Sequence, residues 1–137
     1  MSDPRRVLVV DDQEDIREMA RLVLTAAGYD VVAVGSGREA LRMAHETSFD
    51  LVLLDINMPE MDGWATLRLL RADEGHDDLP VAMFSVKSEV RDKVAGLKDG
   101  AIDYITKPFG VDELASRVSR ILASRGGASA VPSASPR

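Results

Sequence analysis

L-V-L-L-D-I-N-M-P-E-M-D-G, residues 51–63, joins a short aliphatic run to a single carboxylate and then to a loop built on proline and glycine. Leu51-Val52-Leu53-Leu54 is too short for a helix, is apolar at every position and is bounded by turn residues. That pattern reads as a strand buried on both faces, and such strands belong to parallel sheets covered by helices on both sides. Outward from this run, Arg6–Val10, Val31–Val34, Asp50–Leu54, Val81–Phe84 and Ala101–Ile105 read as strands. Between and after them, apolar residues keep helical spacing: Ile16, Met19, Ala20, Val23 and Leu24; Ala40, Leu41 and Ala44; Leu67 and Leu70; Val90, Val94 and Leu97; Leu114, Val118, Ile121 and Leu122. Ser36 with Glu39 forms a capping-box pattern, Asp62 suits an N-cap, and Gly28 and Gly100 suit left-handed positions just past helix ends. Gly96 is the one misfit, costing about 1 kcal/mol against alanine inside the fourth helix. The alternation predicts an α/β fold: a doubly wound five-stranded parallel sheet of flavodoxin-like order 2-1-3-4-5, preferred here to half of a Rossmann fold.

Length and composition agree with one such unit. The chain has 137 residues, 45% of them hydrophobic, enough for one core and too few for two ordinary domains. Residues 1–124 are expected to form the domain, with Gly126-Gly127 stopping the last helix and residues 125–137, rich in Gly, Ala, Ser and Pro, forming a disordered tail or the start of a linker. The longest apolar runs reach four residues, far short of a membrane span or a secretion signal. Arg5-Arg6 reads as a solvated strand start rather than a twin-arginine signal, because two aspartates interrupt the apolar run that follows. The absence of cysteine excludes disulfides, thiolate nucleophiles and cysteine-bound zinc, and fits a cytoplasmic setting. With a net charge of −6 and its basic residues dispersed, the domain is not expected to bind nucleic acid.

Open parallel sheets bind ligands beyond the carboxyl ends of their strands, where the strand order reverses. The residues due there are Asp11 and Asp12 after strand 1, Asp55 after strand 3, Ser85 after strand 4 and Lys107-Pro108 after strand 5. Strands 1 and 3 are neighbours in the predicted order, so three carboxylates converge. Like charges about 4 Å apart repel by a few kcal/mol at an effective dielectric near 20, which calls for a cation among them. All the candidate ligands are hard oxygens, which favours Mg²⁺, with Mn²⁺ possible, over zinc or copper. Ser85 and Lys107 suit phosphoryl oxygens, so the set fits phosphoryl transfer to a carboxylate nucleophile. Each residue alone has a plainer role: paired aspartates cap helices, Asp55 could simply be solvated in a loop, Ser at a strand end is usually structural, and a lone Lys-Pro says little.

V-L-V-V-D-D (7–12), L-L-D-I-N-M-P-E-M-D-G (53–63), F-S (84–85) and Y-I-T-K-P-F (104–109) together resemble the signature of response-regulator receiver domains of two-component systems, over about residues 5–124. The resemblance implies that Asp55 is the phosphoacceptor, that Asp12 and Asp55 ligate Mg²⁺ by their side chains, that Asn57 does so by its backbone carbonyl, and that Asp11 completes the acidic pocket through water. It makes Ser85 a phosphate contact and switch hydroxyl, Tyr104 the switch aromatic, Lys107 the phosphate-contacting lysine and Lys107-Pro108 a cis peptide. The implied partner is a sensor histidine kinase or histidine phosphotransfer protein, and the implied output is a changed face made by the fourth helix, fifth strand and fifth helix. Such a chain is a signalling module rather than an enzyme, a monomer or weak dimer, with an output partner its sequence does not name.

Two positions depart from the commonest pattern: Ser85 replaces threonine, and Val86 stands where alanine or glycine is usual, and is expected to narrow access to the phosphoryl group. A haloacid-dehalogenase-type Mg²⁺-dependent aspartyl phosphohydrolase needs a second aspartate two residues past the nucleophile, where this chain has Asn57. A flavodoxin needs a Ser/Thr/Gly-rich phosphate cradle after strand 1, where this chain has carboxylates. A degenerate receiver, acting only as a protein-interaction module, would have no need to keep every acidic, hydroxyl and lysine position.

Overall fold

A computed structural model of the chain describes residues 4–73, 78–86, 103–107 and 109–130, with the backbone alone at 85–86 and 125–130. In chain order the elements are β1 (Arg6–Val10), α1 (Glu14–Ala26), β2 (Asp30–Val34), α2 (Gly37–Glu46), β3 (Leu51–Asp55), α3 (Gly63–Ala72), β4 (Val81–Val86), β5 (Asp103–Lys107) and a C-terminal helix (Val111–Ala130). All five strands pair in parallel in the order β2-β1-β3-β4-β5, as expected. The fourth predicted helix, with Gly96, and Gly100 lie outside the described residues.

Period-2 alternation along the strands divides the core in two. Leu8, Val10, Val52, Leu54, Val81, Met83 and Tyr104 face α2 and α3. Val7, Val9, Leu51, Leu53, Ala82, Phe84 and Ile105 face α1 and the C-terminal helix. Each residue of β3 is buried, which is why this strand reads as a continuous aliphatic run.

Local signals explain the helix boundaries. Ser36 Oγ accepts the Glu39 amide at 3.1 Å, while Glu39 Oε1 reaches back to the amide of Gly35 rather than of Ser36, at 2.9 Å. The Asp62 carboxylate caps α3 by accepting the Ala65 amide at 2.9 Å. Gly28, at φ +102°, takes the left-handed turn after α1 that a side chain would oppose.

Several boundaries differ from expectation: β2 begins one residue earlier, at Asp30, and β3 is shifted one residue later, to Leu51–Asp55. β4 and β5 each run two residues past their predicted ends, because Ser85↔Thr106 and Val86↔Lys107 continue the ladder through backbone groups whatever the side chains. The C-terminal helix does not stop at Gly126-Gly127 but continues to Ala130. Glycine costs about 1 kcal/mol in a helix without forbidding it, and the helix already has several turns behind it at that point.

Candidate functional site

The β1 and β3 strands are adjacent and in register, Val9 beside Leu53 and Val10 beside Leu54, so the residues at their carboxyl ends meet. Asp11 and Asp55 continue the alternate row that contains Val9 and Leu53. Their carboxylates therefore emerge on the side covered by α1 and the C-terminal helix. Asp55 is level with Phe84 on β4, and Phe84 with Ile105 on β5. Lys107 lies two residues beyond Ile105, and its long stem brings the ammonium back over the Phe84 ring, 5.7 Å from the centroid. Phe84 is itself stacked on Phe109, with ring centroids 5.3 Å apart.

Lys107 Nζ ends 2.7 Å from Asp11 Oδ2 and 3.1 Å from Asp55 Oδ1. All three groups are buried, at 0% exposure for Asp11, 4% for Asp55 and 8% for Lys107. Asp12 is exposed, yet one oxygen from each of Asp11, Asp12 and Asp55 falls within 4.8 Å of the others. Asp11 does not cap α1 as a plain reading of paired aspartates would have it. The N-cap is Gln13, and Asp11 Oδ1 accepts the Gln13 amide at 3.0 Å. The Asp11 carbonyl is held in turn by the Arg17 guanidinium at 2.9 Å.

Burial is the main cause that pushes the Asp55 carboxyl up to about 6. Asp11 adds to the rise, Lys107 opposes it, and Asp12 contributes least. Burial alone would lower the Lys107 ammonium, but its contacts with Asp11 and Asp55 outweigh that and leave it above its ordinary value.

The three carboxylates face one ammonium, so the pocket is short of positive charge. Asp11 Oδ2 is fully buried, and among the described residues its close partner is the Lys107 ammonium at 2.7 Å. Its contact with Lys107 is an ion pair made by proximity. Three carboxylates that share one ammonium and offer hard oxygens within 4.8 Å of one another fit a hydrated divalent cation such as Mg²⁺ or Mn²⁺.

The loop from Ile56 to Asp62 is fixed against the site. The Gly63 amide donates to the Ile56 carbonyl at 2.8 Å, and a Cβ on Gly63 would run into the Asp55 carbonyl oxygen and come within 2.8 Å of Ile56 Cα. Within the loop, Glu60 has φ +68° and the Met61 amide donates to the Pro59 carbonyl at 2.7 Å, the hydrogen bond of a γ-turn. Asn57 sits exposed at the start of this loop, two residues past Asp55.

Asp11, Asp55 and Lys107 are thus brought into contact, with Asp12 alongside. Ser85 is placed at the end of β4, one residue past the partner of Asp55, and its side chain lies outside the described residues, as does Pro108 with the expected cis peptide. Tyr104 is 8% exposed and packs against the other face of the sheet, so it does not touch the carboxylates. Arg117 on the C-terminal helix grips this part of β5, with NH2 2.7 Å from Asp103 Oδ1 and 2.5 Å from the Tyr104 carbonyl. Sequence reasoning missed Arg17, Phe84, Arg117 and Trp64. Only Phe84 carried a signal, as an aromatic directly before Ser85.

Comparison with known proteins gives one consistent result. The family model described as the response regulator receiver domain matches residues 7–119. The chain is 46% identical over 126 residues to the transcriptional regulatory protein PrrA of Mycobacterium leprae, an alignment that covers 92% of this chain and 53% of PrrA. It is 45% identical over 114 residues to the DNA-binding response regulator MtrA of Mycolicibacterium paratuberculosis, covering 83% of this chain and 49% of MtrA. Among solved structures, chemotaxis protein CheY4 of Vibrio cholerae superposes with a TM-score of 0.83 at 33% identity, over 86% of this chain and 98% of that one. The chain therefore spans about half the length of the curated relatives it matches.

Proposed function

This chain belongs to the response regulator receiver domain family, and on that footing we propose that Asp55 accepts a phosphoryl group from a phosphohistidine on a sensor histidine kinase or a histidine phosphotransfer protein. An Asp55 carboxylate oxygen attacks phosphorus in line with the P–N bond. The O–P bond forms, the P–N bond breaks, and its electron pair returns to the imidazole nitrogen. Although burial raises the Asp55 carboxyl to about 6, the group is mostly ionised at neutral pH and so remains a competent nucleophile. Lys107 needs little movement to meet a phosphoryl oxygen, since it already stands 3.1 Å from Asp55 Oδ1.

Asp12, Asp55 and the Asn57 backbone carbonyl would hold Mg²⁺, or Mn²⁺, with Asp11 engaged through water. The cation supplies neutralising charge for the phosphoryl oxygens. Attack by water on the acyl phosphate breaks its O–P bond, releases inorganic phosphate and restores the Asp55 carboxylate. While the phosphoryl group is present, Ser85 hydrogen-bonds to it, Tyr104 responds, and the face around β5 and the C-terminal helix changes. The protein acts as a signalling module, and its chemistry is confined to its own phosphorylation and dephosphorylation. We assign the receiver unit to residues 1–124 and a tail or linker start to residues 125–137, although the C-terminal helix itself continues to Ala130. It works in the cytoplasm as a monomer or weak dimer, and among the described residues no helix is long and apolar enough to cross a membrane.

The observation that carries this reading is a buried carboxylate, Asp55, set beside one ammonium and two further carboxylates, of which Asp11 is also buried, at the carboxyl edge of a parallel sheet. Intact mass after incubation with acetyl phosphate, with and without Mg²⁺, tests it. The expected result is a Mg²⁺-dependent gain of one phosphoryl group that Asp55→Asn abolishes. A phosphoryl group retained by Asp55→Asn, or no gain in the wild-type chain from either acetyl phosphate or a phosphohistidine donor, would overturn it.

A further inference from the structure

Lys107 starts on β5, yet both of its carboxylates lie beyond the neighbouring strand. In the order β1-β3-β4-β5, β4 separates the lysine from Asp55, and β3 separates β4 from the strand that leads to Asp11. Two strand spacings amount to about 10 Å, so the stem has to cross the surface of β4 to reach Asp55. The residue of β4 level with Asp55 is Phe84. Strand alternation puts its ring on the same face as Ile105 and Lys107. The ring is fully buried, and the ammonium stands 5.7 Å from its centroid, within the range of cation–π attraction. Phe109, also buried, stacks on the same ring with centroids 5.3 Å apart and planes inclined at 22°, so packing fixes the tilt that Phe84 presents to the lysine.

We propose that Phe84 is a positioning residue for Lys107, its ring face holding the ammonium over the pocket throughout phosphoryl transfer. The inference rests on the phosphoacceptor reading above. Among the described residues Lys107 has three contacts that favour its charge: Asp11, Asp55 and the Phe84 ring. Under that reading Asp55 gives up its hold on the ammonium when it takes the phosphoryl group, and Asp11 faces the cation site. The ring is the contact that the reaction does not use. Its face carries negative potential without a formal charge. It therefore attracts the ammonium without adding a fourth carboxylate to a pocket already short of positive charge, and without competing for the N–H groups that a phosphoryl oxygen needs. An aliphatic side chain of similar volume would fill the same space and offer no such attraction.

Trifluorophenylalanine, placed at position 84 by nonsense suppression, keeps nearly the shape of the ring and strips most of the negative potential from its face. It is introduced into the wild-type chain and into Lys107→Met, whose side chain is neutral. In urea denaturation without divalent cations or phosphodonor, fluorination is expected to lower the folding equilibrium constant about 5- to 30-fold more in the wild-type chain than in Lys107→Met. In the mass assay with acetyl phosphate and Mg²⁺, the initial labelling rate of the wild-type chain is expected to fall several-fold on fluorination, and that of Lys107→Met to fall no further. Phe84→Leu should slow labelling to a similar extent, whereas trifluorophenylalanine in place of Phe49, which packs on the other face of the sheet, should leave the rate unchanged. Equal effects of fluorination with and without the lysine charge, or a wild-type labelling rate that fluorination at position 84 does not alter, would leave the ring a packing role only and overturn the proposal. No labelling of the wild-type chain by any donor would instead overturn the phosphoacceptor reading, with the urea comparison still deciding whether the ring holds the lysine.

Discussion

Replacing Asp55 by asparagine should stabilise the metal-free protein at neutral pH while abolishing its chemistry. The Asp55 carboxyl rises from 3.8 to about 6 on folding, first through burial and then through Asp11. At about 1.4 kcal/mol per pH unit, that rise costs the folded state about 3 kcal/mol once Asp55 is ionised. The sign follows from proton linkage. Below pH 3.8 both folded and unfolded states are protonated and there is no cost. As the pH rises from 3.8 to about 6 the unfolded chain ionises first, so stability falls across that window, and the full cost persists above it. Asparagine has nearly the same shape, still offers Lys107 a carbonyl acceptor and never ionises. Urea denaturation without divalent cations should therefore find Asp55→Asn more stable by up to about 3 kcal/mol at pH 7.5, with the gap closing towards pH 4. Added Mg²⁺ should narrow the gap from the other side, raising the wild type by about 1.4 kcal/mol at ten times its dissociation constant. A variant less stable than wild type at neutral pH, or a gap that does not change with pH, would refute the account of a strained acidic pocket.

Two further substitutions test neighbouring parts of the site. Lys107→Met leaves Asp11 and Asp55 buried without their cation, and should cost about 3–5 kcal/mol in urea denaturation at neutral pH and less in acid, where protonation relieves the charge. Gly63→Ala forces a methyl against the Asp55 carbonyl and Ile56 Cα, and should cost about 1–3 kcal/mol and slow acetyl phosphate labelling in the mass assay, with far-UV circular dichroism unchanged.

What the sequence made legible was whatever local chemistry decides. The aliphatic run at residues 51–54, the Ser36 and Asp62 caps and the left-handed turn at Gly28 are properties of short stretches, and each stands where it was expected. The convergence of Asp11 with Asp55 also followed, because strand order alone makes β1 and β3 neighbours. The ends of β4 and β5 were not legible, since the polar residues Ser85, Thr106 and Lys107 stay in the ladder through backbone pairing that side-chain pattern does not reveal. Nor was the helix beyond Gly126, where continuation of an established helix outweighs two unfavourable residues. Arg17, Phe84 and Trp64 were missed for a common reason: each acts on a site residue through a contact that only the folded chain creates.

Those contacts bear on why the pocket can remain strained. Three carboxylates with one ammonium would relax if the strand ends could separate, and relaxation would lower Asp55 towards its ordinary value. The parallel ladder prevents that at β1 and β3, the Arg17 guanidinium pins the Asp11 carbonyl, and the Gly63 backbone closes against Asp55. Lys107 is kept in reach by Phe84, which is itself stacked on Phe109, so the ammonium cannot swing into solvent without losing both its carboxylates and the ring beneath it. The excess negative charge is thereby stored in a rigid frame, and under the proposed function relief would come from binding, by a divalent cation first and then by the anionic group that the cation and Lys107 jointly attract. A site built this way would trade folding stability for affinity towards a metal and an anionic group, which is the trade the proposed phosphoacceptor role requires.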